Sequence, residues 1–223
     1  MFDDIRDSIT RNIRDIKIWV TNIPEDRNYD DGRATSYGLF FVYIYGVYEA
    51  TVRQIISKTI TELNNSAAVV DQCSYGLYSL LFSPEYDSLY SVGNDHKWEK
   101  RWAISDKLQQ NPPIHISECL FPTDGKNIRY EQLESLKKSF GIEDNVLPRN
   151  EIRGYISEMV DNRNYVAHGD KLPKEVGRQF TKTELLQRCE YISEVCTYLC
   201  DSYENYILNR KYIRQQQTTG QVS

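Results

Sequence analysis

The stretch YGLFFVYIYGVY (37–48) is apolar around the whole circumference of a helix, and the residues after it narrow to a single stripe of Val52, Ile55, Ile56, Ile60 and Leu63. A helix that is apolar on all sides belongs at the centre of a bundle. Its twelve unbroken residues fall short of the roughly 18 needed to cross a bilayer, so the spacing predicts a buried helix over about 35–63. Working toward the N-terminus, Glu25–Gly32 reads as a polar loop and Asn22-Ile23-Pro24 as a helix stop, because proline cannot continue the hydrogen-bond ladder. Before it, Phe2, Ile5, Ile9, Ile13, Ile16 and Val20 recur at steps of three and four, which predicts an amphipathic helix over 2–20.

In the other direction, residues 66–83 predict a short helix stopped before Pro84. Residues 84–128 are the least regular part: WEKRWAISDKLQQ (98–110) reads as helix, NPPIHISECLFPTDGKN (111–127) as loop, with a strand pair expected between Ile114 and Ile128. Tyr130–Phe140 is a short amphipathic helix closed by Gly141. A further helix covers 149–168, with Ile152, Ile156, Met159 and Val160 inward and Gly169 at its end. The last begins at a Thr181-x-x-Glu184 capping box and carries Leu185, Cys189, Ile192, Cys196, Leu199, Tyr203 and Tyr206 in a heptad seam. Such a seam packs at a shallow angle on another helix, of the same chain or of a second subunit. The expectation is one all-α domain over 1–214 with a partly irregular insertion before the 149–168 helix, and a flexible polar tail over 215–223.

Composition agrees with that class. Eleven Gly and seven Pro among 223 residues disfavour a turn-rich β fold and a disordered chain. The net charge of −5 excludes coating of nucleic acid by bulk electrostatics, so any such site is local. From residue 149 onward eleven Lys/Arg stand against ten Asp/Glu, and before it sixteen against twenty-two, so the acid lies in the first two thirds. The N-terminus has no apolar core ahead of a cleavage site, which predicts a soluble, cytoplasmic protein without membrane contact. The five cysteines form no C-x-x-C, and His96 and His115 have no metal-ligand spacing, so neither metal nor cofactor is expected. Most of the seventeen tyrosines read as bundle packing, with Tyr165 the one placed for stacking on a base.

The candidate chemistry lies in RNYVAHG (163–169). An arginine keeps its charge and forks onto phosphate oxygens. A helix C-terminus favours an imidazolium, and histidine takes and gives protons near neutrality. Five positions on an ideal helix turn Arg163 and His168 about 140° apart, so they meet only if the last turn distorts or a second subunit brings its own copy.

The segment resembles the R-N-x-x-x-H-G form of the R-x(4–6)-H signature of the HEPN superfamily, α-helical ribonucleases and RNA-binding proteins frequent in bacterial toxin–antitoxin and antiphage loci. LFFVYIYGVYEATV (39–52), LFPTDGKNIRYEQLESLKKSFGI (120–142) and EVGRQFTKTEL (175–185) are similar to the early helix and to the two flanks of the motif helix in a bacterial branch, so the resemblance covers about 35–208. It implies a helical bundle that forms a homodimer with two motifs facing one cleft, and metal-independent cleavage of RNA by 2′-hydroxyl attack to leave a cyclic 2′,3′-phosphate. Carried over, His168 is general base or acid, Arg163 binds the scissile phosphate, and Asn164 orients phosphate or imidazole. Glu49 is a candidate to hold Arg163, or else pairs with Arg53 one turn along its own helix. Lys171, Lys174, Arg178 and Lys182 are candidate RNA contacts, or a solvated charge run. An antitoxin or defence-system partner protein also follows from the resemblance. Asp170 stands where a toxin subgroup carries a nucleotidylated Tyr, so regulation by that route is not expected. Two other readings stay open: a non-catalytic RNA-binding or protein-interaction module, and a purely structural helical dimer.

Overall fold

The computed structural model describes residues 1–26, 30–123 and 125–214. The expected tail at 215–223 lies outside the described residues. Helix α1 (Asp3–Thr21) buries Ile5, Ile9, Ile13, Ile16 and Val20, the stripe its periodicity dictates. Helix α2 (Asp30–Asn64) is the axis of the fold and buries sixteen of its residues. It begins inside the stretch expected as a loop, because Asp30 and Asp31 suit the positive end of a helix and Arg33 reaches back to Asp30.

The region between α2 and the motif places its helices differently from the expectation. The helix expected over 66–83 is instead two 3₁₀ turns (Val70–Gln72, Tyr75–Leu77) followed by one turn of helix, α3 (Tyr78–Leu81). Then α4 (Ser83–Ser91) starts with Pro84 in its first turn, where a missing N–H costs nothing, and α5 (Lys97–Gln110) follows. The strand pair expected between Ile114 and Ile128 does not form. Asn64 takes the place of a neighbouring strand: its amide donates to the Ile116 carbonyl and accepts from the Ile116 N–H, both at 2.8 Å. The Ile114 N–H goes to the Ala68 carbonyl at 3.0 Å. With these groups satisfied and Ile114, Ile116 and Ile128 buried, no second strand is needed.

Helix α6 (Tyr130–Phe140) ends at Gly141, whose φ of 72° is the left-handed cap expected there. Helix α7 (Ile152–His168) carries the motif and closes at Gly169, φ 77°. The short α8 (Pro173–Gly177) and the long α9 (Lys182–Leu208) complete the bundle, the latter with its Thr181/Glu184 capping box formed. The whole 185–206 seam is buried, and α9 lies against α1, α2 and α7 of its own chain. That resolves the alternative left by the heptad pattern in favour of packing within the chain.

Three contacts fix the motif helix. Arg188, 9% exposed on α9, is held by Glu158 of α7 at 2.9 and 3.1 Å. Arg129 pairs with Asp161, and Arg153 with Glu131. Beyond the motif, α8 presses its backbone onto α2: a Cβ on Gly177 would lie 1.8 Å from the Ala34 carbonyl oxygen, and one on Gly38 1.9 Å from that of Pro173.

Candidate active site

Arg163 leaves α7 half-buried, with its guanidinium 4.8 Å above the ring of Tyr45 from α2. Its Nη1 donates to the side-chain oxygen of Asn164 at 3.0 Å and to that of Asn127 at 3.4 Å. Asn127 in turn donates from Nδ2 to Asn164 at 3.0 Å and accepts from the Tyr45 hydroxyl at 3.3 Å. The same hydroxyl accepts the Ile128 N–H at 3.2 Å. Burial holds the Tyr45 hydroxyl above the ordinary tyrosine pKa, against the smaller opposing pull of the Ile128 N–H, so it stays a neutral donor.

Three side chains from three parts of the chain therefore fix one guanidinium. No carboxylate lies within ion-pair distance of Arg163 among the described residues, and its Nε and Nη2 have no hydrogen-bond partner there. A positioned cation without a counter-ion and with donors to spare can take an anion, and a guanidinium fork matches the oxygens of a phosphate.

His168 stands exposed on the last turn of α7, without a hydrogen-bond partner among the described residues. The helix stays regular up to Gly169, so the turn of about 140° away from Arg163 persists. Three cavities of about 540, 750 and 650 Å³ are lined by other residues, and in the motif Tyr165, Ala167 and His168 are exposed while Arg163 and Asn164 are half-buried. Among the described residues no group of three or more His, Cys, Asp or Glu could hold a metal ion, and no helix is long and apolar enough to cross a membrane.

A family model described as HEPN_MAE_28990-like HEPN matches residues 2–212, nearly the whole chain. The chain belongs to this HEPN family. No curated protein and no solved structure matches it.

Within this HEPN chain the other sequence-nominated residues take separate places. Glu49 pairs with Arg53 at 3.1 Å, one turn along α2, rather than with Arg163. Tyr165 is 37% exposed beside the motif, with the Lys171 ammonium 4.0 Å from its ring centre. Lys174 and Arg178 both engage Asp31 at the start of α2. Lys182 donates to the carbonyls of Thr21 and Ile23 at 3.1 and 3.0 Å, closing the end of α1. Tyr45 and Asn127 were not singled out by sequence. Tyr45 is hidden in an apolar run that explains it as core, and Asn127 sits in a loop without periodicity. Only the similarity of 39–52 and 120–142 to family segments pointed their way.

Proposed function

We propose that this HEPN protein is a metal-independent endoribonuclease, acting as a toxin–antitoxin or antiphage effector, whose active site is completed by a second copy of the chain. The observation that carries the reading is the uncompensated guanidinium of Arg163, held by Asn164, Asn127 and Tyr45 at the end of the helix that bears His168. Imidazole takes the proton of a ribose 2′-hydroxyl, the 2′-oxygen attacks the adjacent phosphorus, and the P–O5′ bond breaks as the imidazolium gives its proton to the leaving 5′-oxygen. Arg163 neutralises the charge that builds on the phosphate oxygens. The products are a cyclic 2′,3′-phosphate and a 5′-hydroxyl.

A single chain keeps Arg163 and His168 apart, and this is the reason to invoke a second copy. Helix α2 offers a surface for one next to Tyr45: Leu39 (44% exposed), Val42 (37%) and Tyr43 (44%) continue into the exposed Gly46 and Ala50. The spacing is helical, and nothing lies within 4 Å of where a Gly46 Cβ would be, so another helix can approach closely. We assign RNA contact to Tyr165 and Lys171. Lys174, Arg178 and Lys182 hold α8 and α9 in place and contribute to RNA binding through their field alone. The competing reading, a non-catalytic RNA-binding or protein-interaction module, draws on the lack of an orienting partner for His168.

Purified protein is expected to cut RNA in excess EDTA, to leave cyclic 2′,3′-phosphate ends, and to scatter light as a dimer at micromolar concentration. RNA left uncut under those conditions, with binding intact, selects the non-catalytic module.

A further inference from the structure

The α4–α5 hairpin stands apart from the bundle. Neither helix has a buried residue, and its base is tied down by Lys107, whose ammonium donates to the Leu81 carbonyl at 2.9 Å and to Glu85 at 2.7 Å. Toward its tip the hairpin is aromatic where a solvated helix pair should be polar. Trp98 is 62% exposed, Trp102 61% and Tyr90 93%. The two tryptophans are one turn apart on α5, so they share a face, with ring centres 6.4 Å apart and planes inclined by 37°. Arg101 lies 4.8 Å from the centre of the Trp98 ring. Lys97 and Lys100 have no carboxylate within ion-pair distance among the described residues; of the two acids beside them, Asp95 and Glu99, the latter sits 3.4 Å from His96.

Exposed indoles bordered by unpaired cations match the chemistry of an unpaired nucleotide: the rings offer π-faces to bases and the cations take the phosphates. A protein partner would be met by aromatic residues with few lysines among them, since lysine is depleted at interface centres. Duplex RNA keeps its base faces stacked and offers none to an indole. In a chain of net charge −5, a local cluster of Lys97, Lys100 and Arg101 is the kind of patch that acts at short range. We propose that the Trp98–Trp102 face of α5 is a binding platform for single-stranded RNA, a second contact that captures the substrate away from the motif. The platform rests on RNA being the ligand of the motif site, but not on cleavage.

The test uses the full chain with His168→Ala, so that RNA is not consumed, and a fluorescein-labelled single-stranded RNA of mixed sequence. Anisotropy should show that Trp98→Ala with Trp102→Ala weakens binding by about tenfold or more, and that Trp98→Phe with Trp102→Phe restores most of it. Intrinsic fluorescence of the His168→Ala protein should be quenched by single-stranded RNA and not by a duplex of the same sequence; the remaining indole, Trp19, is packed against Tyr43. Because neither tryptophan is buried, the double variants should melt with the parent. Equal affinity of the parent and the double alanine variant, or equal quenching by duplex, overturns the platform and leaves the hairpin to a protein partner. If wild-type protein fails to cut RNA in EDTA yet the double variant still loses affinity, the cleavage reading falls and the platform stands. If cleavage is intact and affinity indifferent to the tryptophans, the reverse holds.

Discussion

His168→Ala is expected to lower the rate of RNA cleavage by about 10²–10⁴-fold, the range that one positioned acid or base contributes, with RNA affinity nearly unchanged. His168 is exposed and forms no hydrogen bond among the described residues, so its removal has no folding cost to confuse the result. Growth inhibition on expression should disappear with the activity. Asn127→Ala makes a useful comparison. It removes the partner shared by Arg163, Asn164 and Tyr45 without removing a reacting group, and at about 1 kcal/mol for a net hydrogen bond the loss should be roughly fivefold. Initial rates on one labelled RNA, read beside binding anisotropy, separate the two effects. A His168→Ala enzyme that cuts at the parental rate would remove imidazole from the mechanism.

The second large effect is steric. Gly177→Ala places a methyl 1.8 Å from the Ala34 carbonyl oxygen and 2.7 Å from the Gly38 nitrogen, both of them backbone atoms that cannot swing away. Helix α8 must lift off α2, uncovering Val176, which is fully buried. A loss of about 3 kcal/mol or more follows for overpacking of this severity, or roughly 6–12 °C in Tm for a chain of this size. Since α8 begins five residues after His168, activity should fall along with stability. Gly154→Ala is the control. It lies in the first turn of the motif helix with nothing within 4 Å of the new methyl, where alanine is favoured over glycine by up to about 0.5 kcal/mol, less than in a helix interior. Thermal denaturation of the two variants should therefore move in opposite directions. Melting of Gly177→Ala with the parent would contradict the close approach of α8 to α2.

What could be read in advance follows from how local each determinant is. The stripes of α1 and α2, the Thr181 capping box and the glycine caps at 141 and 169 are set by residues a few positions apart, and periodicity or φ requirements expose them. The stretch from 111 to 128 resisted because the backbone of Ile116 and Ile114 is satisfied by Asn64 and Ala68, and no pattern within residues 111–127 reveals partners that far upstream. The α9 seam announced a neighbouring helix without saying whose. In the site, Arg163, Asn164 and His168 are legible as a contiguous motif. Tyr45 and Asn127 join them only through tertiary contact, and Tyr45 is disguised by serving as core and as a platform for the guanidinium at once. For Lys174, Arg178 and Lys182 the sequence shows cations close together but not the intramolecular partner that each one has.

The central claim is that one catalytic site draws on two chains, and mixing two inactive variants tests it most directly. Arg163→Ala and His168→Ala proteins should each be inactive alone. Coexpressed in equal amounts, half of their dimers are mixed, and each mixed dimer keeps one of the two arrangements related by the twofold axis. The account predicts that EDTA-resistant cleavage returns to about a quarter of the wild-type rate. A mixture as inactive as its parents, with mixed dimers demonstrably present, would contradict it and confine the chemistry to a single chain.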